Sequence, residues 1–279
     1  MQKEIFLKEY HAEYIKARTG STITMLAKLQ DAKYRDEYGL FIAEGIKLAR
    51  EALRYSTVMK MVVCEDALQN PEAEQLLAES RQFSAGIEYI LTSTEAFSKI
   101  STEKAPQGII AVLPKNVGCP SAWEREARYL ILDTIQDPGN VGTILRSAAA
   151  FGVDALILSD CADVTSPKTV RASMGAVFRC PVYTTRELPE VIGQLKENGH
   201  RVLGAALGEN TMVLGKANLK QNDVIIIGNE GHGIRNEVLD VCDETIRIPM
   251  SETTESLNAS IAASVLLWEY YRDNKEKEI

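Results

Sequence analysis

Apolar residues along the chain fall into two successive kinds of pattern. Between Ile23 and Tyr55 they recur at helical spacing, through Met25, Leu26, Leu29, Phe41, Ile42, Ile46, Leu48 and Leu53, and the stretch Asp36 to Gly39 (DEYG) breaks the series. Two helices are predicted there. Beyond Tyr55 strands and helices alternate: MKMVVC reads as a strand, PEAEQLLAES as a helix begun by Pro71, IEYILT as a strand, TEAFSKI as a short helix and GIIAVL as a strand. This is a small α/β domain over residues 21–113, behind an N-terminal extension of residues 1–20. Residues 114–127, PKNVGCPSAWEREA, hold two prolines and a glycine with little periodicity and read as a linker. A second α/β series occupies 128–274. YLILD and ALILS are short, strongly apolar runs, as parallel strands covered on both faces require, with the helical GNVGTILRSAAAFG between them. PVYTT, RVLGAAL, DVIIIG and ETIRIP follow as strands, interleaved with helices near 187–198 and 256–271.

Two domains suit a length of 279 residues, since single cores stop growing near ~250. Hydrophobic residues make up 45% and charged residues 25%, so a sizeable core can be buried. No apolar run approaches the ~18 residues that span a bilayer, and the charged start MQKEIFLKEYHAEYIKART lacks a signal-peptide core, so no membrane partner is expected and the cytoplasm is the expected compartment. The five cysteines, Cys64, Cys119, Cys161, Cys180 and Cys242, are scattered and never spaced as CxxC. They read as reduced thiols, neither a disulfide framework nor a metal site. A net charge of -8 argues against a nucleic-acid partner, but its distribution is uneven. Residues 1–60 carry 11 Lys and Arg against 8 Asp and Glu, whereas the remainder carries 20 against 31. A mildly basic N-terminal segment is compatible with RNA, and equally with a solvated helix face.

Three polar or glycine-rich loops follow strands of the second domain, where open α/β sheets place their ligand sites. QDPGNVGTILRSAAAFG puts Asn140 at a helix start and Arg146 further along it. IIIGNEGHGI leaves an apolar strand through Gly228, Glu230, Gly231 and Gly233, glycines that allow positive φ and close backbone approach to a ligand. IRIPMSETTESLNASIAASVLLWE runs from a strand through Ser256, Leu257 and Asn258 into a long apolar helix. Taken singly, each has an ordinary explanation: Asn140 or Ser256 as an N-cap, Arg146 as a solvated charge, the glycines as a tight turn. GNEGHG does not fit the GxGxxG dinucleotide fingerprint, which disfavours an α/β oxidoreductase.

Together, in this order and spacing, the three segments resemble the signature motifs of the SpoU (TrmH-like) branch of knotted RNA 2'-O-ribose methyltransferases. Upstream, KLQDAKYRDEYGLFIAEGIKLAREAL and EKAPQGIIAV resemble that family's N-terminal substrate-binding domain, which is similar to L30e-like RNA-binding folds, so the match spans roughly residues 24 to 270. The resemblance implies a C-terminal α/β-knot, a trefoil-knotted and mostly parallel sheet, preceded by a small L30e-like α/β domain; pattern alone would not suggest a knot. It also implies S-adenosyl-L-methionine as cofactor, held by backbone groups near Gly228, Ile248, Met250, Leu257 and Leu207. Arg146 is then the key residue. Its guanidinium is a poor base, so it is expected to bind an RNA phosphate and orient it, or itself, to accept the ribose proton, with Asn140, Glu230, Ser256 and Asn258 orienting Arg146 and the ribose. Lys33 and Arg35 are the implied RNA contacts of the first domain. No metal is implied, and His232 reads as incidental.

The substrate implied is ribosomal RNA of the 23S type rather than tRNA, because tRNA enzymes of this branch typically join the knot to short helical extensions. A homodimer built through the helix from Leu257 to Tyr271 is also implied. Departures from the pattern are small: Ala259 stands where valine is common, SETTE is acidic, and the first ~20 residues have no counterpart. The rival from another class is a noncatalytic RNA-binding protein with a degenerate knot domain, and the presence of all five polar site residues weighs against it.

Overall fold

The computed structural model describes residues 1–83, 86–118, 120, 122–206, 211–251 and 256–275, which form two compact units. The first comprises residues 1–116 together with 165–179, and the second 117–164 together with 180–279.

In the first unit the chain runs α1 (Lys3–Glu9), β1 (Glu13–Ile15), α2 (Ser21–Lys28), α3 (Ala32–Tyr38), β2 (Leu40–Glu44), α4 (Ile46–Tyr55), β3 (Lys60–Cys64), α5 (Pro71–Phe83), β4 (Glu88–Thr92), α6 (Thr94–Ile100) and β5 (Ile109–Pro114). The sheet order is β1-β4-β3-β5-β2, parallel among the first three and antiparallel where β5 meets β3 and β2. From β3 onward the strands and helices are those the pattern predicts. Between Ile23 and Tyr55 they are not: three helices and a strand replace the two expected helices. Leu40–Glu44 spans little more than one helical period, too few residues to tell it from an alternating pattern, and its apolar run buries equally well in a strand. Glycines set its limits. Gly39 closes α3 at φ +62°, and Gly45, at φ +108°, turns the chain into α4.

Residues 1–20 belong to this unit. The Phe6 ring is fully buried, stacked on Tyr10 at 4.7 Å between centroids, and β1 adds a parallel edge strand against β4. Residues 165–179, which carry α8 (Pro167–Ala172), supply Val170 and Phe178 to the same core, with the Phe178 ring 6.3 Å from that of Phe41.

The second unit contains β6 (Tyr129–Asp133), α7 (Pro138–Ala150), β7 (Ala155–Ser159), β8 (Val182–Thr185), α9 (Leu188–Glu197), β9 (Arg201–Ala205), β10 (Met212–Val213), β11 (Asp223–Ile227), α10 (Asn236–Leu239), β12 (Glu244–Arg247) and α11 (Ala259–Lys275). Its seven strands lie in the order β10-β12-β9-β11-β6-β7-β8, and every pairing is parallel. All five residues of β6, of β7 and of β11 are buried, the signature of strands covered on both faces. Helices α7 and α11 pack together and share a Ser147–Ser264 hydroxyl hydrogen bond of 2.8 Å. Asp137 caps α7 by accepting from Asn140 N, and Pro138 occupies the first helical turn, where its missing N–H costs nothing.

Candidate functional site

The carboxyl ends of the adjacent strands β12, β9 and β11 open onto a cleft of about 420 Å³ within the second unit. Its walls are apolar, from Ile227, Ile234, Ile246, Ile248, Leu257 and Leu266, with Ala205, Ala259 and Ala262 keeping it open. Polar groups border it: Asn229, Glu230, His232, Asn236, Arg247 and Ser256. Of the expected cofactor contacts, Gly228, Ile248, Met250 and Leu257 all line this cleft. Leu207 lies outside the described residues.

The second glycine loop owes its sequence to its own packing. A Cβ at Gly228 would lie 2.4 Å from Gly233 C and from Ile234 N, a backbone clash. The loop folds back on itself there, through hydrogen bonds of 3.0 Å from Asn229 N to Gly233 O and 2.9 Å in return. Of the three loop glycines only Gly233, at φ +71°, takes the left-handed conformation. Closeness of chain to chain, rather than of chain to ligand, is what makes Gly228 necessary.

Three expected polar residues, one from each motif, meet beside the cleft. Asn140 donates its Nδ2 to Glu230 Oε1, and its Oδ1 accepts from Asn258 Nδ2 at 3.2 Å. Asn258 Oδ1 accepts in turn from Ser260 N at 3.0 Å and Ser260 Oγ at 2.6 Å, which makes Asn258 the cap of α11. The chain of donors therefore has one direction, ending on the Glu230 carboxylate. Ser256 is exposed at the cleft and Asn140 sits inside α7, so neither is the N-cap that a single-residue reading allows. Arg146 is exposed on α7 and, among the described residues, engages no side chain.

The structure separates the expected RNA contacts of the first unit. Lys33 is exposed, its ammonium 5.6 Å from the Tyr34 ring centre. Arg35 is only 3% exposed and donates to the Leu29 and Gln30 carbonyls, both at 2.9 Å. Its guanidinium satisfies the end of α2 and cannot present itself to a phosphate, which corrects the expectation for this residue.

Several residues at the carboxyl ends of the strands escaped the pattern. Asp133 is wholly buried and is held by Arg235, while Asn229 Nδ2 donates to Thr134 O at 2.9 Å. The available signal was one acidic residue closing the apolar run YLILD. Cys161 lies beside them, its Sγ 3.2 Å from Leu132 O; burial pushes its thiol up to about 12. Among the described residues no three His, Cys, Asp or Glu side chains gather as a metal site, and no helix is long and apolar enough to cross a membrane.

Known proteins share both parts. The profile of the SpoU rRNA Methylase family matches residues 127–268, and that of the MRM3-like substrate binding domain matches residues 21–111. The 23S rRNA (guanosine(2553)-2'-O)-methyltransferase RlmP of Bacillus subtilis is 33% identical over 245 residues, covering 86% of this chain and 92% of that protein. An AdoMet-bound rRNA methyltransferase structure from Sinorhizobium meliloti superposes with a TM-score of 0.80 at 27% identity, over 94% of this chain and 98% of the other. A putative RNA methyltransferase of the TrmH family from Porphyromonas gingivalis gives a TM-score of 0.77 at 33% identity, over 92% and 99%.

Proposed function

The chain belongs to the SpoU rRNA methylase family, and from that membership and the cleft we infer that it transfers a methyl group from S-adenosylmethionine to a ribose 2'-hydroxyl of RNA, with ribosomal RNA as substrate. The observation that carries this reading is the junction of Asn140, Glu230 and Asn258, contributed by three separate motifs, at the edge of an apolar cleft.

The cleft suits an adenosyl cofactor in size and in chemistry: isoleucine, leucine and alanine walls for the base, with backbone groups at Gly228 and Ile248 along its lining to hydrogen-bond it. When bound, S-adenosylmethionine supplies a methyl group on a sulfonium. The chain's task is then alignment and proton handling. Arg146 carries a permanently charged fork, exposed and without a side-chain partner among the described residues, suited to an RNA phosphate, and the phosphate it orients takes the 2'-hydroxyl proton. The directed chain from Asn258 through Asn140 fixes one oxygen of Glu230, so the orienting groups are set before RNA arrives. Ser256 is assigned to the ribose; its support is its exposure at the same rim.

The trefoil knot is part of the same proposal. It is supported by the family likeness and by the convergence on one cleft of Ala206 after β9, the loop 228–234 after β11, and Ile248, Met250, Ser256 and Leu257 after β12. RNA selection is assigned to residues 21–113, where the substrate-binding profile matches residues 21–111. We place the active unit as a cytoplasmic homodimer. Its support is α11, which exposes Ile261 and Trp268, at 53% and 52%, and clusters the Trp268 ring with Phe151 and Tyr271. Calorimetric titration tests the cofactor reading: saturable binding of S-adenosylhomocysteine with none of NAD is expected. Binding of NAD alone would overturn it.

A further inference from the structure

Two wholly buried aspartates of the seven-stranded sheet are each met by one arginine, at opposite ends of the strands. At the amino-terminal ends Asp223 of β11 accepts from Arg201 of β9, Nε at 2.9 Å and Nη2 at 2.5 Å, far from the cleft residues. At the carboxyl ends Asp133 of β6 accepts from Arg235, whose backbone N lies 2.9 Å from Oδ2 and whose Nε lies 2.8 Å from Oδ1. Arg235 does more than neutralise Asp133. Its Nη2 donates to Ser159 Oγ at 2.8 Å and its Nη1 to Asp160 Oδ2 at 3.2 Å, so one guanidinium spans the ends of β6 and β7.

Arg235 also directly follows the loop 228–234 that lines the cleft and carries Glu230. Asn229 completes the attachment: Nδ2 donates to Thr134 O at 2.9 Å, while Oδ1 accepts from Gly231 N at 2.8 Å and His232 N at 3.3 Å. The two residues gripped from below, Thr134 at φ +60° and Asp160 at φ +49°, hold the left-handed conformation that non-glycine residues keep only where their surroundings impose it. Thr134 leads into α7 and hence to Asn140 and Arg146.

We propose that Arg235, through Asp133, Ser159 and Asp160, is a positioning residue for methyl transfer: it fixes the loop 228–234 against the ends of β6 and β7, and so sets Glu230 against Asn140 and the cleft floor against the cofactor. The inference rests on the methyltransferase reading of the cleft. Lysine keeps the charge but reaches one acceptor where the arginine fork reaches three. The Arg201–Asp223 pair is the internal control, the same chemistry in the same sheet with no loop of the cleft attached.

The test compares Arg235→Lys with Arg201→Lys in the full chain by melting temperature, by calorimetry with S-adenosylhomocysteine, and by amide hydrogen exchange over residues 228–234. Both variants are expected to melt lower. Only Arg235→Lys should weaken S-adenosylhomocysteine, by roughly ten-fold, and accelerate exchange in the loop. If Arg235→Lys lowers the melting temperature but leaves affinity and loop exchange within about two-fold of wild type, or if Arg201→Lys changes them equally, the positioning role is wrong. Should Arg235→Lys not fold, Ser159→Ala removes a single acceptor of the fork and carries the same readouts. A wild-type protein that does not bind S-adenosylhomocysteine would sink the cofactor reading instead, and the exchange comparison would still decide whether Arg235 orders the loop.

Discussion

A guanidinium that engages no side chain among the described residues is available to a phosphate, and the exposed Arg146 is in that position. Arg146→Ala is therefore expected to lower turnover on RNA by at least about 100-fold while S-adenosylhomocysteine affinity stays within about two-fold. Arg146→Lys should fail in the same way, since a point charge does not reproduce the fork. Single-turnover methyl transfer read beside calorimetry checks both, and retention of more than about a tenth of wild-type turnover would remove Arg146 from its role. The thiols of buried Cys180 and of half-buried Cys161 and Cys242 give a pH dependence. Burial pushes Cys161 and Cys180 up to about 12 and Cys242 up to about 11, against about 8.5 for an unfolded cysteine. Below that lower value both states keep the proton and nothing is lost; from there to about 12 the unfolded chain alone releases it, so stability falls as pH rises. Melting curves taken upward from about pH 8 should show that decline, and at the low end the native thiols should resist alkylation that the denatured chain accepts. The motifs singled out Asn140, Glu230 and Asn258, and the structure brings these three together. Residue identity misled at Arg35, because a charge in a basic stretch looks the same in sequence whether it faces water or caps a helix from inside.

Short apolar runs are where periodicity loses its power, and β2 is the instance: Leu40–Glu44 was absorbed into a helix because five residues cannot distinguish a period of 3.6 from one of 2. The longer alternation from β3 to β5 and the strongly apolar β6, β7 and β11 left no such ambiguity. Glycine chemistry separates two kinds of element boundary, and each has its own expected outcome. Gly39 needs only a left-handed φ, with open space where a Cβ would go, so Gly39→Ala should cost about 1 kcal/mol and leave cofactor affinity alone. Gly228 needs the space itself, since a Cβ there meets backbone at 2.4 Å. Gly228→Ala should displace residues 233 and 234 and reduce S-adenosylhomocysteine affinity in calorimetry; unchanged affinity would mean that the loop is not part of the cofactor site.

At the scale of the whole molecule, the prolines, glycine and lost periodicity of residues 114–127 read as a linker, and the structure divides into two units with a boundary after residue 116. The grouping of residues 165–179 with the first unit was not legible, because that depends on Val170 and Phe178 finding a core distant in sequence. The directed Asn258–Asn140–Glu230 chain was equally out of reach, since side-chain partners across 90 or more positions leave no local trace. Light scattering at micromolar concentration should give twice the 30.8 kDa chain mass; a single monomeric species, equally active on dilution, would contradict the dimer. The most direct measurement of the central claim is nucleoside mass spectrometry of ribosomal RNA incubated with the protein and isotopically labelled S-adenosylmethionine. The label is expected on one 2'-O-methylated ribose, and to disappear with Arg146→Ala. Label on a base, or no label in RNA while the protein binds S-adenosylhomocysteine, would contradict it.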